Sequence, residues 1–119
     1  MRKITGEQYL MRIFIGESDR YEGKPLYQYL VELFKKEKLA GTTVLRGIAG
    51  FGAKSHLHTD SILRLSSDLP IIIEVVDSKE HLDYVLAKID HSITEGLITL
   101  EKVNVIKYLA GDCLSPPIK

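Results

Sequence analysis

The run Ile71-Ile72-Ile73-Glu74-Val75-Val76 constrains this chain more than any other feature. Its β-branched content and its length mark a buried strand. Side chains alternate between faces along a strand, so Ile71 to Ile73 and Val75-Val76 put apolar groups on both. A strand apolar on both sides expects cover on both sides. Residues Gln8 to Gly16 come close to the same condition. Tyr9, Met11, Ile13 and Ile15 share one face, and Leu10, Arg12 and Phe14 share the other.

The segments around these strands define the order of elements. After a polar, turn-rich stretch from Glu17 to Gly23, Pro25 suits the first turn of a helix, where its missing N–H has no partner to lose. Leu26, Tyr29, Leu30, Leu33 and Phe34 then recur on one helical face, and Gly41 is the expected stop. Thr42 to Ala49 reads as a second strand, interrupted by Gly47 and running into Gly50-Phe51-Gly52. Ala53 to Ser61 reads as a polar loop, and Ile62 to Ser66 as a short strand leaving it. Ser78 can cap a second helix with Glu80 in its first turn, its apolar face being Leu82, Val85, Leu86 and Ile89. Gly96 punctuates, and Leu97 to Leu109 forms the last strand, with a slip of apolar phase near Glu101-Lys102 that predicts a bulge or bend.

Strand, helix, strand, strand, helix, strand is the ferredoxin-like split βαβ pattern. The expected class is α+β: a βαββαβ sandwich with two helices on one face of an antiparallel sheet. One domain spans residues 1–119, with a core from about 8 to 109 and a loose tail from 110 to 119. Two helices cover only one face of a four-stranded sheet. A large exposed apolar patch is rare on a soluble monomer, so the other face expects cover from another copy or a partner, the bland alternative being that the loop and tail fold back over it.

Composition narrows the function classes. Sixteen basic residues against sixteen acidic ones in 119 give no net charge. Capture of nucleic acid or of an anionic membrane by bulk electrostatics needs a basic excess, and neither partner is expected. No apolar run approaches the roughly 20 residues needed to cross a bilayer, so membrane insertion is not expected. The segment Met1 to Glu7 lacks the apolar core of a signal peptide, and the single cysteine, Cys113, allows no internal disulfide. The expected setting is the cytoplasm.

Arg46-Gly47-Ile48-Ala49-Gly50-Phe51-Gly52 is the most distinctive string. Its glycines would let the backbone turn N–H groups toward an anion, with Lys54 adding charge; the bland alternative is a strand bulge followed by a loop hinge. No Gly-Lys-Ser/Thr follows, so it is not a Walker loop. His56, His58 and Asp60 share one parity and have a metal-ligand spacing, but two solvated histidines in a polar loop are commoner and no fuller ligand set is evident. His81 and His91 read as surface groups. Cys113 has no activating neighbour in sequence. Arg12 and Arg64 could grip a phosphate or pair across strands, and Glu17, Asp19 and Glu22 cluster after the first strand. No catalytic constellation stands out, and no catalytic or metal-ligating residue is assigned.

Gly41-Thr42-Thr43-Val44, then Gly50-Phe51-Gly52, a polar loop, Asp68-Leu69-Pro70, an apolar strand and Asp77 resemble the PII signalling proteins. The string from Arg46 to Gly52, with His58-Thr59-Asp60 and Leu63-Arg64-Leu65-Ser66, is more similar still to an uncharacterised PII-like family, over about Gln8 to Tyr108. The resemblance implies a non-enzymatic homotrimer that binds an adenine nucleotide (ADP, AMP or ATP) in clefts between subunits. It further implies regulation of a partner, such as a membrane transporter or channel, through the loop after the second strand, with no obligatory cofactor. Carried over by position, the ligand-binding residues are Thr43, Gly50, Phe51, Gly52, Gly96 and Lys107; Arg46, Lys54 and Arg64 join them as the cations available to hold a diphosphate or monophosphate. The loop from Ala53 to Ser61 is much shorter than its PII counterpart, and Ile71 to Ile73 lack the lysine that PII places on its third strand. Two alternatives stay open: a small oligomeric enzyme with an interface site using Glu17, His56 or His58, and a metal-binding protein using His56 and His58.

Overall fold

The computed structural model describes residues 4–51 and 68–110. The loop from 53 to 61, the short strand over 62–66, the ligand candidates Gly52, Lys54 and Arg64, the pair His56 and His58, Cys113 and the tail beyond 110 lie outside the described residues.

The elements are β1 (Gly6–Gly16), β2 (Arg20–Tyr21), β3 (Lys24–Pro25), α1 (Leu26–Lys36), β4 (Thr43–Arg46), β5 (Pro70–Asp77), α2 (Lys79–Ile89), a 3₁₀ turn (Asp90–Ser92) and β6 (Leu97–Val105). Four strands form one sheet in the order β4-β5-β1-β6, with every neighbouring pair antiparallel. This is the ferredoxin-like α+β arrangement, with β2 and β3 as a separate hairpin: Arg20 and Tyr21 lie in the stretch expected to be turns, and Pro25, expected in the first turn of the helix, instead pairs with Arg20 and precedes α1.

Register assigns the faces. Ile13 opposes both Ile73 and Ile98, and Ile73 opposes Val44, so these residues share one side. On that side Met11, Ile13, Ile15, Ile71, Ile73 and Val75 pack against Leu26, Leu30 and Phe34 of α1 and Leu82, Val85 and Ile89 of α2. The opposite side carries Leu10, Phe14, Ile72 and Val76, half-buried, with Leu45 and Leu97 exposed at the two edges. Its centre is an ion triad: Arg12 donates from Nε to Glu74 at 2.9 Å and from Nη1 to Glu101 at 2.7 Å. The expected bulge at Glu101-Lys102 is absent, because β1 and β6 stay in register from Gly6↔Val105 to Phe14↔Leu97. The apolar slip there marks the position that supplies an anion to Arg12.

The first helix stops earlier than Gly41. Lys38 N–H donates to the Lys35 carbonyl and Leu39 N–H to the Phe34 carbonyl, both at 3.1 Å, and Lys38 has a φ of 62°. That is a Schellman stop, completed by the side chain of Leu39 packing against the core that contains Phe34. Its consequence is an extended link, Leu39 to Thr42, leading into β4. The second helix begins as expected: Ser78 Oγ accepts the His81 N–H at 3.2 Å. β4 ends at Arg46, after which Gly47 N–H donates to the Pro70 carbonyl at 2.7 Å, and β6 ends at Val105. Both edge strands are therefore shorter than their apolar sequence runs.

Candidate functional site

Polar chemistry gathers at the two ends of the sheet. At one end a cavity of about 330 Å³ opens between the α1–β4 link, the middle and end of β5, and the segments before β1 and after β6, lined by Ile4, Leu10, Thr43, Glu74, Val105 and Tyr108 among others. Thr43 and Glu74 are cross-strand partners, which puts them side by side on the helix-free face. The rest of that wall is mostly aliphatic. Glu74 is already hydrogen-bonded to Arg12. This bond, with Glu101 adding to it, raises the Arg12 pKa above its ordinary value.

The link that forms the cavity rim is held from beneath. Ala40 N–H donates to Asp77 Oδ2 at 2.9 Å, and Ser78 N–H donates to Asp77 Oδ1 at 2.7 Å. Asp77 is wholly buried at the end of β5. His81, on the first turn of α2, stands 3.4 Å from Asp77 through Nδ1 and 2.9 Å from the Glu37 carbonyl through Nε2. Its side chain is only 20% exposed, so His81 is a bridging group rather than the surface group its sequence context indicates. His91 is exposed, its ring edge-on to Tyr21 at 5.6 Å.

At the other end, Arg46 Nη2 donates to Glu17 Oε2 at 2.6 Å, and Glu17 N–H donates to the Leu69 carbonyl at 2.8 Å. Asp19 accepts from the Gly16 N–H at 3.0 Å and Asp68 from the Ser18 N–H at 3.1 Å. The carboxylates of this turn are thus engaged in shaping it. Gly50 lies against Pro70, where an added Cβ would stand 3.0 Å from the proline Cγ, and Phe51 beyond it is 66% exposed. Gly96 belongs to this end but to the opposite edge: it adjoins Phe14 and Ile15 and leads into β6. Among the described residues, no group of three or more His, Cys, Asp or Glu side chains is arranged to hold a metal ion.

The ligand candidates read from sequence therefore divide into two sets. Thr43 lines the cavity, and Lys107 precedes Tyr108 at the same end. Arg46, Gly50, Phe51 and Gly96 sit at the far end. Thr43 and Arg46 are three residues apart, about 10 Å along the strand, and that odd spacing turns their side chains to opposite faces. Gly50 and Gly96 flank edges separated by three strand spacings, about 14 Å. Within this chain the described candidates are not brought together. Sequence reasoning missed Glu74, Tyr108 and Ala40. Glu74 was findable as the one carboxylate in an apolar run, whereas the other two owe their place to contacts across 37 and 68 residues of chain.

Comparison with known proteins agrees with this architecture. Residues 8–105 match the DUF190 family (uncharacterized ACR). A UPF0166 protein of Aquifex aeolicus (strain VF5) is 42% identical over 97 residues, covering 82% of this chain and 91% of the relative. A UPF0166 protein of Methanocaldococcus jannaschii is 37% identical over 99 residues, with the same shares covered. Among solved structures, CPII of Thiomonas intermedia K12 bound to ADP, AMP and acetate superposes with a TM-score of 0.60 at 13% identity, over 86% of this chain and 91% of that one. A protein of Thermus thermophilus described as PII-like signalling gives 0.59 at 19% identity, over 85% and 91%. No helix among the described residues is long and apolar enough to cross a membrane. The chain belongs to the DUF190 family, an uncharacterised family with the PII-like fold.

Proposed function

We propose that this protein is a non-enzymatic, PII-like regulator that assembles as a homotrimer and binds an adenine nucleotide between subunits. The observation that carries the reading is the division of the ligand candidates between opposite ends of the sheet. A cleft between neighbouring copies joins the cavity end of one, with Thr43, Glu74 and Lys107, to the glycine end of the next, with Gly50, Phe51 and Gly96. Lys54 and Arg64 supply further charge from the segment after β4. The aliphatic walls around Thr43 suit a flat heterocycle, and Glu74 offers an acceptor to an exocyclic amine. The helix-free face, apolar around its ion triad, supplies the assembly surface. CPII, of the same fold, has been crystallised with ADP and AMP, which supports the choice of ligand.

Coupling to a partner, such as a transporter or channel, needs the ligand to prefer one arrangement of the segment after β4 over another. Arg46 stands at the root of that segment, tied to Glu17, and a phosphate arriving at Gly50 competes for the same guanidinium. The test is thermal unfolding with ADP, AMP and ATP, together with sedimentation to count subunits. A specific ligand at 100 times its dissociation constant adds about 2.7 kcal/mol of stability. Sedimentation as a monomer, or no shift with any of the three, overturns the reading.

A further inference from the structure

We infer that Tyr108 is a positioning residue for the occupant of this cavity, a strap that closes over it by bonding to Ala40. The inference rests on the reading that the cavity receives the base of a nucleotide. Tyr108 Oη donates to the Ala40 carbonyl at 3.2 Å, joining the chain after β6 to the α1–β4 link. Both residues line the cavity, and so does Val105, the last residue of β6.

The Ala40 residue is gripped from two sides by groups of different strength. Its N–H is held by the buried carboxylate of Asp77, a charge-assisted bond whose acceptor is itself braced by Ser78 and His81. Its carbonyl is held by a neutral phenol on a segment beyond the last ladder pair, Gly6↔Val105. Asp77 and Ala40 thus form the fixed jamb, and Tyr108 is the restraint that releases at lower cost. Within the single chain the flanking side chains of the strap, Ile106 and Leu109, are 82% and 77% exposed, so the chain's own core does little to hold it. A base leaves when the phenol lets go of Ala40, and the ring then covers it again on return. Glu74 and Thr43 form the opposite polar wall and read the edge of the base while the strap is closed.

The experiment compares wild type with Tyr108→Phe, which keeps the ring in the lining and removes only the hydroxyl. Dissociation of ADP from the assembled protein, followed by stopped-flow displacement, is expected to be about fivefold faster, the worth of one neutral hydrogen bond. The unfolding midpoint of the ligand-free protein is expected to fall only slightly, by the loss of that same bond, whereas a tyrosine that mainly supports the core would cost a large drop. Hydrogen exchange at the Gly41, Thr42 and Thr43 amides, measured without ligand, is expected to speed up in the variant. Unchanged exchange together with an unchanged ADP off-rate overturns the strap. If the wild type binds no ADP, the functional reading fails, and the ligand-free exchange then decides the strap by itself.

Discussion

Arg46 and Glu17 join the exit of β4 to the residue after β1 through a 2.6 Å contact between Nη2 and Oε2. The other carboxylate oxygen, Glu17 Oε1, is buried without a hydrogen-bond partner among the described residues. The pair therefore combines a modest gain with a cost. The side chain of Arg46 is more than half exposed, and solvent-exposed ion pairs contribute about 0–1 kcal/mol. Glu17→Ala is expected to change stability by less than about 1 kcal/mol, because loss of the pair offsets relief of the buried oxygen. The same change frees Arg46 at the root of the segment after β4, so ADP binding should tighten. Urea unfolding and calorimetric titration measure the two effects. A large loss of stability would mean that Glu17 braces the turn in a way the ion pair does not express.

The two faces of β5 separate folding from assembly. Ile73 is wholly buried against the helices, and Ile72, its neighbour, lies on the helix-free side. Ile73→Ala should cost about 2–5 kcal/mol as a large-to-small change in a packed core. Ile72→Lys should leave the subunit folded while placing a charge on the surface proposed to meet other copies. Circular dichroism and sedimentation distinguish the outcomes. An Ile72→Lys protein that sediments at the same size as an assembled wild type would remove this face from the proposed assembly.

The alternating apolar residues of Gln8 to Gly16 and the Ile71 run specified two central strands, and the order of elements around them specified the fold. That succeeded because face alternation is a local property, written in neighbouring residues. Helix ends were less legible. Gly41 was the natural stop by composition, but Lys38 took the left-handed position instead, since Leu39 gains a core contact there that residue type does not advertise. The site was legible only in part. Thr43, singled out through the family resemblance, lines the cavity, whereas Tyr108 needed the return of β6 beside β1 to bring it to Ala40. His81 looked like a surface histidine until the buried Asp77 four residues earlier gave it a partner.

Acid titration offers a local test on α1. Lys24 Nζ lies 2.7 Å from Glu32 Oε1 and Gln28 Nε2 lies 3.0 Å from Oε2. The hydrogen bond from Lys24, then that from Gln28, holds the Glu32 carboxyl below its ordinary 4.5. A depressed carboxyl stabilises the fold above its unfolded pKa, and the contribution fades as pH falls through the folded value. Lys24→Ala should move the Glu32 pKa upward in a side-chain NMR titration. The stability difference between variant and wild type should be largest near neutrality and shrink in acid. An unmoved Glu32 would show the pair to be absent in solution.

Gly96 separates a packing role from a ligand role. A Cβ at this position would stand 2.7 Å from the Phe14 carbonyl oxygen and 3.2 Å from Ile15 Cγ2. The first contact is with backbone in the central strand, which cannot swing aside as a side-chain tip can. Gly96→Ala must therefore push the start of β6 away from β1, or strain the link from the 3₁₀ turn, at a cost of about 1–3 kcal/mol. That loss should appear in the ligand-free protein and should be matched by faster amide exchange at Leu97 and Ile98. If stability and exchange stay at wild-type values while ADP binding is lost, the glycine is there for the ligand. If both fall together, the close approach of β6 to Phe14 is the reason for Gly96, and the nucleotide cleft depends on it through the placement of the strand rather than through contact.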